Sequence, residues 1–229
     1  MKNINMRNMK NMRIKNIKTQ KLIFSVKTHV RNNRNQYILT CISLIMGLVV
    51  GVVSALILRD GNAETLNSYI NNFFSAYSLQ GVSRTEVFKL SLIGNLKTAA
   101  VLWTCGLTPY LIPLSLIHVG ANGVGIGFSA SFILKEFMLK GVLFSLVSLL
   151  PHNLIALPSI IVYTVFNINF AIEFKKHKLD NTLQKVKRNL IIKNLTALGI
   201  FIGMLTISSL IEGYIIPTFI RPLCGMFIK

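Results

Sequence analysis

The chain has 229 residues, of which 52% are apolar and only 14% charged, with a mean hydropathy of +0.57. That balance excludes an ordinary soluble domain and points to a membrane protein. The net charge of +18 would suit a nucleic-acid binder, but the basic residues are segregated. Ten of the 25 Lys and Arg precede Tyr37, where no acid occurs, and seven more lie between Lys175 and Lys193, while the apolar stretches are almost free of charge. Basic residues flanking apolar spans mark cytoplasmic segments beside anionic lipid, so no nucleic-acid partner is expected and the lipid bilayer is.

Residues 1–36 form a basic tail rich in Asn, Lys and Met, low in complexity, in which Met6, Met9 or Met12 would serve as a start as well as Met1. Tyr37 to Leu58 follows, 22 uncharged residues, enough to cross a bilayer at ~20 residues per span. It is longer than a signal-peptide core, so an uncleaved first span is expected. The segment 59–89 is mixed. Within it Leu66, Ile70, Phe73, Phe74 and Tyr77 recur at helical spacing, an aromatic face suited either to packing on the bundle or to docking a partner.

Thr98 to Leu134 carries no charge for 37 residues. Two basic segments on the same side of the membrane require an even number of spans between them, so this region supplies parts of two. The break falls at "CGLTPYLIP" (Cys105 to Pro113), where Gly and two prolines punctuate. Spans are therefore expected at 37–58, 90–107, 110–134, 141–170 and 194–217, with an inner basic loop at 173–193 and a short outer tail at 218–229. The expected fold class is all-α, a polytopic membrane protein of about five transmembrane helices. The N terminus lies inside and the C terminus outside. Helices satisfy their own backbone groups in lipid.

Inside the spans, the glycines of "HVGANGVGIG" (His118 to Gly127) lack the strand before and the Lys-Ser/Thr after that a phosphate loop needs. Gly123 and Gly127, Gly47 and Gly51, and Gly199 and Gly203 instead form small-xxx-small pairs for helix packing. His118 and His152 have no carboxylate close in sequence, and Cys41, Cys105 and Cys224 show no CxxC spacing. No metal, no cofactor and no catalytic constellation is therefore expected. The uncharged stretch Gly141 to Ile172 holds Pro151, His152, Asn153 and Pro158. Each proline removes one helical donor. A kinked or broken helix is expected there, its polar turn facing the protein interior with His152 and Asn153 supplying donors. Asn122, at matching depth on the third span, is expected to hydrogen-bond this turn, with Gly123 and Gly127 bringing the third and fourth helices together. Lys97 and Glu212, near the outer ends of the second and fifth spans, are expected either to pair or to snorkel.

Three stretches resemble the stage II sporulation protein M family. They are "GNLKTAAVLW" (Gly94 to Trp103, including Asn95 and Lys97), "GANGVGIGFSASFIL" (Gly120 to Leu134) and "LLPHNLIALPSIIV" (Leu149 to Val162). The third is the most specific. Asn153 and Ala156 stand where a wider related group often has Gly and Glu, which favours the sporulation branch. The resemblance implies a non-enzymatic scaffold in the septal membrane, one that holds the peptidoglycan hydrolases sporulation proteins D and P during forespore engulfment. The residues alone leave open a second reading. A permease subunit working with a separate ATPase would also place polar groups at mid-membrane.

Overall fold

The computed structural model describes residues 27–57, 83–179 and 184–224. The chain divides into two compact units, Met1–Ile38 and Leu39–Lys229. In the first, residues 27–38 are almost wholly helical, and the Asn33 amide donates to the His29 carbonyl at 2.9 Å. The second is a helical bundle with no strand among the described residues.

Helix α1 (Arg34–Ile57) buries only Thr40, Leu44, Gly47, Gly51 and Ala55, a narrow stripe at spacings of three and four. Its remaining faces expose Ile, Val, Leu and Met, as a lipid-facing helix should. The stripe lies on the next long helix, backbone against backbone. A Cβ added at Gly47 would overlap the Gly120 carbonyl, and one at Gly51 the Val124 carbonyl. Reciprocally, a Cβ at Gly123 would overlap the Leu44 carbonyl and one at Gly127 the Leu48 carbonyl. The Ser43 hydroxyl adds a 2.6 Å hydrogen bond to the Leu116 carbonyl. Two of the three small-residue pairs thus form one interlock. It joins the first and third spans, which corrects the expectation that Gly123 and Gly127 serve the fourth. Gly199 and Gly203 have open space around them and take no part in packing.

Helix α2 (Arg84–Gly106) begins six residues before the expected 90–107 span and ends at the Gly-Leu-Thr-Pro turn. A 3-10 turn, Pro109–Leu111, leads into α3 (Ile112–Leu179). At 23 residues α2 is long enough to cross, at 1.5 Å per residue. Its polar residues keep it out of the four helical stretches that qualify by apolar composition, Arg34–Ile57, Pro109–Lys135, Gly141–Lys176 and Arg188–Ile220. With α2 counted, about five spans are compatible with the bundle.

Helix α3 holds two limbs joined at Met138, which takes φ 46° and ψ −128°. Close by, a Cβ on Gly141 would overlap the Ile133 carbonyl, so the chain reverses tightly between the third and fourth spans. Met138 is 78% exposed, and its left-handed backbone is one that glycine adopts more readily. Met138→Gly is therefore expected to raise stability by about 1 kcal/mol, read as a higher midpoint of thermal unfolding in detergent.

The fourth span is not broken. Met138 is the one non-helical residue in α3, and the helix runs through Pro151 and Pro158. Asn153 donates to the Leu149 carbonyl at 2.8 Å and Ser159 to the Ile155 carbonyl at 2.6 Å. These side chains double up on carbonyls that the helix already bonds, whereas the carbonyls that Pro151 and Pro158 leave without a helical donor are those of Val147 and Leu154. The helix continues to Leu179, and α4 (Gln184–Leu210) starts soon after, so much of the expected inner loop is helical. A π-helical turn, Ile211–Ile215, joins α4 to α5 (Ile216–Cys224).

The apolar centre comprises Leu44, Ala99, Leu102, Val119, Ala156, Ile160, Tyr163, Phe201 and Leu205. The rings of Tyr163 and Phe201 stack at 4.2 Å. With small or slender side chains on α1 to α3, the helices approach closely enough for polar side chains to reach across them.

Candidate functional site

Two polar sites lie inside the bundle. The first joins α2, α3 and α4 in a relay of side chains. The Trp103 indole donates to Asn194 Oδ1 at 3.1 Å, Asn194 Nδ2 donates to Asn167 Oδ1 at 3.2 Å, and Asn167 Nδ2 donates to the Leu102 carbonyl at 3.0 Å. Asn167 is 2% exposed and Asn194 3%. Gly106 makes room for it, since a Cβ there would stand 2.7 Å from Asn167 Cγ. Neither asparagine was singled out in the sequence. The signal for Asn167 was an amide, one of three within 32 uncharged residues, where a polar group is costly unless it is bonded.

The second site is a cavity of about 550 Å³ between α2, both limbs of α3 and the π-turn. It gathers Asn95, Asn122, His152, Asn153 and Glu212 with His118, so five of the residues chosen from sequence share one wall. Asn122 and Asn153 do not bond each other, however. Asn122 donates to the His118 carbonyl at 2.8 Å, one turn back on its own helix, and Asn153 likewise to Leu149. Each amide donates to its own backbone within a turn, and neither donates to the facing helix among the described residues. The His152 carbonyl is instead reached by the Ser208 hydroxyl of α4 at 2.9 Å. Asn95 crosses from α2 to α4, donating to Ser209 Oγ at 2.8 Å.

Glu212 sits in the π-turn, where Gly213 lies so close to α2 that a Cβ would meet Phe88 Cα at 2.8 Å. The Ser91 hydroxyl donates to the Glu212 carboxylate at 2.6 Å. The expected Lys97–Glu212 pair is thereby corrected. Lys97 is exposed and forms no ion pair among the described residues. Pro158 lines a smaller apolar cavity of about 300 Å³ with Tyr163, Phe201 and Met204, and Pro151 lies half-buried in the helix. The expected docking face Leu66, Ile70, Phe73, Phe74 and Tyr77 lies outside the described residues. Among the described residues, no three His, Cys, Asp or Glu side chains are grouped to hold a metal.

A helical bundle with spans of this length, held by glycine interlocks and by amides reaching across helices, is a polytopic membrane protein. The family described as stage II sporulation protein M matches residues 40–217, more than half of the chain, from α1 through α4 and into the start of α5, and the chain belongs to that family. No similar protein was found among curated proteins, and no similar fold among solved structures.

Proposed function

We propose that this chain is a non-enzymatic membrane scaffold that holds peptidoglycan hydrolases, sporulation proteins D and P, at the septum while the mother-cell membrane engulfs the forespore. Family membership across residues 40–217 carries this reading. The bundle supports it. Its buried polar side chains tie α2, α3 and α4 together, which suits a platform that presents a fixed surface to partners. The experiment is co-purification of the full chain from sporulating cells. Recovery of wall hydrolases is expected, and recovery of an ATPase without them would overturn the scaffold in favour of a permease subunit. The polar cavity is the observation that favours that second reading, since transporter sites sit among helices at mid-membrane.

The scaffold reading places segment 59–89 outside, where hydrolases act, and 173–193 inside. With the three native cysteines replaced, Ser68→Cys is expected to react with an impermeant thiol reagent in intact cells and Asp180→Cys only after lysis. The reverse pattern would invert the topology. Charged substitution at Phe73 and Phe74 is expected to lower hydrolase recovery while leaving the protein in the membrane. Equal recovery would remove this face as the dock.

A further inference from the structure

The cavity between α2, α3 and the π-turn has a hydrogen-bonding polarity of its own. Asn95, Asn122 and Asn153 each use the amino end of the amide within the protein, on Ser209, the His118 carbonyl and the Leu149 carbonyl. Their amide oxygens accept no hydrogen bond among the described residues and can only accept, while Asn122 and Asn153 each keep a second amide N–H. The Ser91 hydroxyl spends its proton on Glu212. His118 Nε2 and His152 Nδ1, both on this wall, are buried and have no hydrogen-bond partner among the described residues.

Charge points the same way. Glu212 is the one carboxylate on the described wall, and no lysine or arginine lines it. It is carried by a π-helical turn, an irregularity that removes a residue from the regular helical register and is frequent at functional sites. The volume of about 550 Å³ falls within the range of small-molecule sites, ~300–1,000 Å³. A wall with one carboxylate, no cationic side chain and three open amide oxygens is complementary to a compact cation that donates several hydrogen bonds. An ammonium offers three.

We propose that this cavity binds a primary ammonium group, with Glu212 as its charge partner and the amide oxygens of Asn95, Asn122 and Asn153 as further acceptors. The ammonium belongs either to a soluble amine or to an ethanolamine lipid headgroup. This site is independent of hydrolase docking, so loss of either leaves the other standing.

The test uses the full chain in nanodiscs of phosphatidylglycerol, titrated with ethanolammonium chloride while thermal unfolding is followed. A saturable rise in unfolding temperature is expected. Tetramethylammonium chloride at the same ionic strength has the charge but no N–H donors, and is expected to give none. Glu212→Gln keeps an acceptor for Ser91 and is expected to weaken ethanolammonium binding roughly tenfold or more, the loss of one charged hydrogen bond. Should that variant fail to fold, Asn122→Leu, which removes an open amide oxygen from a side chain whose amino group bonds only its own helix, is expected to weaken binding as well. Repeating the titration in phosphatidylethanolamine discs separates the sources. A protein already stabilised there and indifferent to added amine takes the headgroup, while an equal response in both lipids marks a soluble amine. The proposal is overturned by an equal response to tetramethylammonium, or by undiminished binding in the folded variants. Equal stability in both lipids with no response to ethanolammonium also overturns it.

Discussion

Gly123→Ala is expected to destabilise the bundle by about 2 kcal/mol or more, because the added methyl meets the Leu44 carbonyl of α1 rather than a side chain that can turn aside. Gly47→Ala is expected to match it, since its Cβ would meet the Gly120 carbonyl. The two helices must separate along the whole stripe to admit either methyl, and the close contacts at Gly51 and Gly127 loosen with it. Combined, the two losses should fall short of their sum, because the first separation already makes room for the second. The internal control is Gly199→Ala, on a helix of similar hydropathy with open space at the same position. It is expected to stay within about 0.5 kcal/mol of the parent and to gain slightly from alanine's helix propensity. Thermal unfolding of the three variants in one detergent measures the contrast. A Gly123→Ala protein as stable as Gly199→Ala would mean that α1 is not held by backbone contact.

The second large effect lies at the relay of α2, α3 and α4. Asn167→Leu removes the centre of the relay. It strands Asn194 Nδ2 and withdraws a donor from the Leu102 carbonyl. Hydrogen bonds in membrane bundles are worth ~0.6–2 kcal/mol each, and a stranded buried group adds ~1–3 kcal/mol. A loss of about 2–3 kcal/mol is expected from those terms. Trp103 is the only tryptophan of the chain, and its indole donates to Asn194. Its fluorescence therefore reads the site directly. Asn194→Leu should alter its emission strongly, Asn167→Leu more weakly, and the double variant should resemble Asn194→Leu. Unchanged emission in all three would show that the indole bond does not form.

The elements were legible where physics is one-dimensional. An uncharged run long enough to cross lipid announces a helix whatever it packs against, and so the first, third, fourth and fifth spans were readable from hydropathy and charge. The second was readable only by counting crossings, because Ser91, Asn95, Lys97 and Thr98 dilute its hydropathy. Its start at Arg84 was hidden because Arg84, Glu86 and Lys89 interrupt the apolar pattern there. The glycine pairs announced close packing but not their partner, since spacing along one helix says nothing about the helix opposite. For that reason Gly123 and Gly127 were set against the wrong neighbour, and Gly199 and Gly203 were given one they lack. The prolines of the fourth span were read as a kink or break because the donors they remove are visible in sequence, whereas a helix that runs on through both is visible only on the folded backbone. Five of the residues that line the cavity were singled out from sequence, since a polar group within a span needs a reason to be there. The direction of each amide, which sets what the cavity can receive, was not readable.

The stripe on α1 has a consequence for how the protein is made. Ser43 meets Leu116 across 73 positions of chain, and every other contact of the interlock is similarly remote. Bacterial and other ribosomes add ~5–20 residues per second, so α1 waits in the bilayer for roughly 4–15 seconds before its partner exists. During that interval its five buried positions face lipid, and nothing but its apolar length keeps it in place. A helix with so little side-chain burial is safe alone, because lipid covers a glycine stripe about as well as it covers a valine. Its dependence begins only when the third span arrives. Variants of Gly47 or Gly51 should accordingly insert normally and fail afterwards, as full-length chains whose first span never joins the rest and which membrane proteases then remove.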